Sequence, residues 1–263
     1  MTILEAIILA IIEGLTEFLP VSSTGHMILA DSLMRITDTE FTKTFEIVIQ
    51  LGAILAVLFL YIKRFLVSID IYIKLFVAFI PTCVIGFLAY RTIKGYLFNP
   101  YVVSVALIVG GFALILLDRW TERKKGRYAD LEDISYLDAA KIGLFQCISM
   151  IPGVSRAAAT IIGGIYSGFD RKQATEFSFL LAIPTMFAAS GLDLIKSGTA
   201  IRPGEWLLLL IGGGVAFVFA TLAVKVFIAL VPRYGFKHFG YYRILLGILF
   251  LVLSLSLGIK VGV

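Results

Sequence analysis

Residues 13–26 read Glu-Gly-Leu-Thr-Glu-Phe-Leu-Pro-Val-Ser-Ser-Thr-Gly-His, within a chain that is 59% hydrophobic. Two carboxylates, a run of hydroxyls and an imidazole thus stand in an otherwise apolar stretch. An ionisable group placed in hydrocarbon costs several kcal/mol, about 2.5 to 3.5 on insertion scales, so such groups mark functional sites. Glu13 and Glu17 lie four residues apart, on one face of a helix. Pro20 ends that helix, and Ser22, Ser23 and Thr24 are of the types that open the next one. Their capping and their chemical readings both stand on sequence grounds. His26 follows Ser23 by three residues and can share a helix face with it. Like charges one turn apart need a shared proton, a nearby Arg or a divalent cation, and oxygen ligands suit Mg²⁺ or Ca²⁺. Glu13 and Glu17 are therefore the candidate metal ligands.

A second polar break reads Pro152-Gly153-Val154-Ser155-Arg156-Ala157-Ala158-Ala159-Thr160. It offers a helix start, whose N–H groups and dipole attract anions, together with an Arg able to grip phosphate in a bidentate fashion. Arg156 and Thr160 have i, i+4 spacing. Two such helix starts facing one cavity would hold a phosphate-rich anion, with Ser22, Thr24, Ser155, Arg156 and Thr160 as its binding residues. Glu46, Gln50 and Glu176 also fall within apolar runs and read as hydrogen bonders inside the bundle.

The elements that must position these groups are membrane helices. Only 16% of the 263 residues are charged, against about 25% in soluble domains. Apolar runs at roughly 45–62, 71–90, 101–118, 174–194, 206–230 and 241–259 are long enough to span a bilayer. The stretches 3–34 and 139–168 are each broken in the middle, into halves suited to re-entrant hairpins. The two hairpins also resemble each other. Gly14-Leu15-Thr16-Glu17 before Pro20 parallels Gly143-Leu144-Phe145-Gln146 before Pro152. A hairpin and three spans per half makes the second half inverted relative to the first. The expected fold is an all-α polytopic membrane protein, six transmembrane helices plus two re-entrant hairpins arranged as an inverted repeat. Repeat 1 covers about 1–118, a loop 119–138, and repeat 2 about 139–263, in a single integral domain.

The formal charge of +5 does not point to nucleic acid, because the basic residues sit in loops. One face collects Lys63, Arg64, Arg119, Arg123, Lys124, Lys125, Arg127, Lys141, Arg171, Lys172, Arg233 and Lys237. The other has Arg35, Lys43, Arg91, Lys94, Lys196, Arg202 and Lys260. The richer face is expected to be cytoplasmic, which puts both termini and the mouth of the first hairpin outside. Lys74, Lys225 and Arg243 are expected to snorkel near span ends, and the 119–138 loop to be a solvated connector. The N-terminus, whose first basic residue is Arg35, does not read as a signal peptide. Cys83 and Cys147, far apart in apolar segments, read as reduced core thiols.

The motifs at 13–26, 44–52 (Thr-Phe-Glu-Ile-Val-Ile-Gln-Leu-Gly), 152–160 and 176–184 (Glu-Phe-Ser-Phe-Leu-Leu-Ala-Ile-Pro) resemble those of the undecaprenyl-diphosphate phosphatase family, also called the bacitracin-resistance family. The resemblance covers essentially the whole chain. It implies hydrolysis of the C55 isoprenoid diphosphate, recycling the lipid carrier for peptidoglycan, with a divalent cation as cofactor. It further implies the bacterial inner membrane as the location. Carried over residue by residue, it makes Glu13, Glu17, Ser23, His26 and Arg156 catalytic, with Ser155 and Thr160 in the second motif. Ala157 stands where the family usually has a second serine, so a role for that serine is in doubt here. Ser23, His26 and water remain alternative nucleophiles, and a homodimer is left open. The alternative function is an inverted-repeat secondary transporter or flippase for a phosphate-bearing lipid, since such repeats are frequent in carriers.

Overall fold

In a computed structural model of the chain, the described residues are all those except 38, 66–68, 97–98, 122–125, 198–200, 203 and 258–263. Among the described residues ten α-helices follow one another: α1 (Ile3–Thr16), α2 (Ser23–Met34), α3 (Glu40–Phe65), α4 (Ile69–Tyr96), α5 (Pro100–Thr121), α6 (Tyr136–Cys147), α7 (Arg156–Tyr166), α8 (Arg171–Ser197), α9 (Trp206–Tyr234) and α10 (Lys237–Leu257). Among the described residues there is no strand. Six helices among the described residues are long and apolar enough to cross a membrane, within α3, α4, α5, α8, α9 and α10. These coincide with the six expected runs. The other four helices have only 14, 12, 12 and 11 residues. At about 1.5 Å per residue each falls short of the roughly 30 Å hydrocarbon core.

Local chemistry explains where the short helices begin. Thr2 and Glu5 close a reciprocal cap on α1. Ser22, Ser135 and Ser155 cap α2, α6 and α7 through their hydroxyls. α1 packs against α9 while α6 packs against α4, so each short pair leans on a span of the other half. Gly14 and Gly143, paired by sequence, make these contacts. A Cβ at Gly14 would come within 2.7 Å of the Ala216 carbonyl on α9, and one at Gly143 would overlap the Ala78 carbonyl on α4. This exchange is compatible with two inverted halves.

Four expectations change. Arg243 does not snorkel: it is wholly buried, because four backbone carbonyls receive its guanidinium (below). Lys74 is also buried; it donates to the Glu132 carbonyl and pairs with Asp70. The 119–138 loop is docked rather than a merely solvated connector. Leu131 and Ile134 are 1% exposed, Arg64 pairs with Asp130 at 3.2 Å, and Tyr136 donates to Asp70 at 2.6 Å. Its Arg123, Lys124 and Lys125, and Lys260 at the other end, lie outside the described residues. The cysteines form no disulfide, and Cys83 is exposed on its helix rather than in the core.

Candidate active site

The two polar breaks meet, and each is a tight turn followed by a hydroxyl-capped helix start. In the first, Ser22 is held at φ 73° with its Oγ accepting from the Gly25 amide. Such a conformation costs a non-glycine residue about 1–3 kcal/mol and persists only where its surroundings enforce it. In the second, Gly153 has φ 90°, and a Cβ there would lie 2.6 Å from the Val103 carbonyl. Only glycine fits.

Glu13 and Glu17 are both buried, one helical turn apart. Ser23, the first residue of α2, donates its hydroxyl to Glu17 Oε2 at 2.5 Å. Arg156, the first residue of α7, brings Nη2 to 3.5 Å from Glu17 Oε1. Its Nη1 donates to the Ser178 carbonyl at 3.1 Å, and the guanidinium stands over the Phe18 ring at 5.7 Å. Arg156 Nε is buried with no protein acceptor. A buried cationic donor left open in this way is a place for a ligand oxygen.

The remaining expected residues are arranged around this core. Ser155 Oγ accepts from the Ala158 amide and lies 3.4 Å from the Leu19 carbonyl, tying one tip to the other. Thr160 shares a 2.6 Å hydrogen bond with Ser178 Oγ, so it and Arg156 converge on Ser178. Ser22 is buried, whereas Thr24 is exposed at the start of α2. His26 places Nδ1 2.7 Å from the Ser22 carbonyl and Nε2 2.6 Å from the Tyr242 hydroxyl. Ala157, at the departure from the family pattern, is fully buried.

Two more residues belong to the site that sequence reasoning did not single out as such. Glu46 of α3 faces Glu13 electrostatically, together with Arg156. Arg243 of α10 donates to the carbonyls of Pro20 at 3.1 Å, Gly153 at 3.0 Å and Ala106 at 3.1 Å, with Leu107 at 3.4 Å. It therefore clasps both tips and α5 at once. Its isolation in an apolar run was the available signal. Gln50 bonds Ser190 at 2.9 Å within the bundle, as expected. Glu176 instead pairs with Arg64 and Lys172 toward the loop face.

Glu13 and Glu17 offer two adjacent carboxylates. Among the described residues no group of three or more His, Cys, Asp or Glu side chains is arranged to hold a metal ion. The pair suits a hard cation whose remaining ligands are water and phosphate oxygens, as Mg²⁺ sites commonly are.

Comparison with known proteins matches residues 6–249 to the family described as bacitracin resistance protein BacA. The chain is 53% identical to an undecaprenyl-diphosphatase of Persephonella marina, over 97% of this chain and 100% of the relative. It is 52% identical to one of Bdellovibrio bacteriovorus, over 96% of each. It is 49% identical to one of Aquifex aeolicus, over 95% of this chain and 98% of the relative.

Proposed function

Because the chain belongs to the bacitracin resistance protein BacA family, we infer that it hydrolyses undecaprenyl diphosphate to undecaprenyl phosphate and inorganic phosphate. It is a multi-pass membrane hydrolase acting on a lipid diphosphate, with a role in bacitracin resistance. The observation that carries the reading into chemistry is the Ser23–Glu17–Arg156 cluster where the tips meet. A carrier has no need of a hydroxyl activated by a carboxylate, so the transporter reading is not favoured.

In the mechanism this geometry supports, the diphosphate lies against the starts of α2 and α7. The Ser22 and Ser155 caps take the Gly25 and Ala158 amides, and the first two amides of each helix are left to face an anion. Arg156 neutralises phosphate charge through its open Nε edge. Ser23 Oγ attacks the terminal phosphorus while its proton passes to Glu17 Oε2. The P–O bond to the bridging oxygen breaks, and undecaprenyl phosphate leaves with that oxygen. Water then cleaves the phosphoserine, and the serine oxygen regains a proton. Glu13 and Glu17 would hold a divalent cation, which when bound supplies charge neutralisation for the phosphates. Ser22, Thr24, Ser155 and Thr160 shape the two helix starts. The inner membrane, a mouth open to the outer face, contacts with surrounding lipid and a homodimer belong to the same proposal. The loop charges support the orientation.

The test is phosphate release from C55 diphosphate by purified protein in detergent, with and without chelator, beside Ser23→Ala. Release that chelator abolishes and added Mg²⁺ or Ca²⁺ restores supports the reading. Full activity in excess chelator removes the cation from it.

A further inference from the structure

His26 has one ring nitrogen committed to the backbone. The Ser22 carbonyl can only accept, so Nδ1 carries the proton of the 2.7 Å hydrogen bond between them. The neutral ring then presents the Nε2 lone pair, which receives the Tyr242 hydroxyl at 2.6 Å. The two rings lie nearly parallel, 9° apart, with centroids separated by 5.6 Å. Tyr242 is half-exposed, and the next residue, Arg243, holds the carbonyls of Pro20 and Gly153. The hydroxyl is thereby held on the imidazole nitrogen that the Ser22 carbonyl leaves open, one residue from Arg243 and its contacts with both tips.

From this geometry we propose that Tyr242 is a further catalytic residue, whose hydroxyl carries a proton from His26 to a phosphate oxygen of the substrate. A proton gained by the imidazole must sit on Nε2, because Nδ1 already has one. Nε2–H then donates to the tyrosine oxygen, and the tyrosine O–H turns to face the phosphate. As the bridging P–O bond breaks, the tyrosine proton passes to the departing oxygen and the Nε2 proton moves to the tyrosine oxygen. Neutral imidazole remains, to be reprotonated from water. Ser23 and Glu17 manage the attacking side, and the His26–Tyr242 pair manages the leaving side.

The inference rests on the hydrolytic reading above, and the experiment separates the two. Tyr242→Phe keeps the ring and removes the hydroxyl. It is assayed on C55 diphosphate beside wild type, Ser23→Ala, His26→Ala and the His26→Ala/Tyr242→Phe double variant, each checked for monodisperse elution and thermal midpoint. For Tyr242→Phe we expect kcat to fall at least about tenfold, KM to stay within about twofold, and the solvent deuterium isotope effect on kcat to shrink toward unity. The double variant should be no slower than the slower single. An unchanged kcat, a change confined to KM, an isotope effect equal to wild type or fully multiplicative losses would each overturn the relay. Phosphate release absent in wild type, or retained by Ser23→Ala, would instead strike the underlying mechanism.

Discussion

Ser23 and Glu17 are joined by a 2.5 Å hydrogen bond across the tip of the first hairpin. The hydroxyl proton of the proposed nucleophile therefore already points at its acceptor, and His26 bonds elsewhere. Glu17→Gln keeps the size of the side chain but cannot take that proton. Its kcat should fall by roughly a hundredfold or more, about as far as that of Ser23→Ala. A radiolabelled terminal phosphate trapped on wild type as an acid-stable ester, and absent from Ser23→Ala, would identify the serine. An acid-labile adduct would move the role to His26.

Arg156 engages Ser178 and Glu17 through its two Nη atoms and leaves Nε open. Lysine has a single ammonium and cannot divide itself in this way. Arg156→Lys should lower kcat/KM by at least about tenfold, or roughly 1.4 kcal/mol, with insertion and thermal midpoint little changed. Wild-type kinetics in that variant would exclude the fork as a phosphate clamp.

Arg243→Met should leave the Pro20 and Gly153 carbonyls without their donor, whereas the Ala106 carbonyl keeps its bond inside α5. Each buried group so orphaned costs about 1–3 kcal/mol, so a clear drop in thermal midpoint is expected, with activity falling further as the tips separate. Gly110→Ala offers an independent check, because its Cβ would collide with the Arg243 guanidinium. A Gly110→Ala protein with normal turnover would argue against the clasp.

Asp138 lies at the start of α6, outside the six spans. Burial raises its pKa, but hydrogen bonds from Lys141, Tyr128 and Ser135 outweigh this and hold it at about 2. A depressed carboxyl stabilises the fold above its unfolded value, about 3.9, and that stability is lost as pH falls through the folded value. Asp138→Asn should therefore destabilise the fold at pH 7 by roughly 1 kcal/mol after screening by water at that face, read as a lower thermal midpoint. The difference from wild type should shrink as pH falls from about 4 toward 2. A gap independent of pH would show that the charge is not what matters.

Ala129 is exposed in the loop that the charge distribution assigns to the cytoplasm. In a background lacking Cys83 and Cys147, Ala129→Cys should resist an impermeant thiol reagent in intact cells and react once the membrane is opened. Ready labelling in intact cells would invert the orientation and turn the first hairpin's mouth inward.

Much of the molecule could be read from local chemistry. The six spans follow from length and apolarity, and the two breaks from a proline, which cannot continue a helix, followed by hydroxyls that satisfy the amides of the next. Gly14 and Gly143 could be paired by motif, and both prove to be close-approach points. The docked loop was less legible, because Leu131 and Ile134 are two apolar residues in a polar stretch, and only the tertiary packing of this segment, against α4 among others, explains their burial.

By itself, then, the sequence picked out most of the candidate site residues, because ionisable and hydroxyl groups in apolar runs are too costly to be common without a role. It also determined the class of fold. Tertiary structure decided which of these groups meet. Arg243 could have reached an interface by snorkelling. It is buried because Pro20 and Gly153, 133 positions apart from each other, both offer it their carbonyls. Likewise Glu17 faces Ser23 across a turn in which Ser22 adopts a positive φ, and His26 meets Tyr242 across 216 positions of chain. Spacing along a helix constrains neighbours within a turn or two. Partners from different helices are set by packing, where close glycine contacts fix how α1 and α6 lie against their spans.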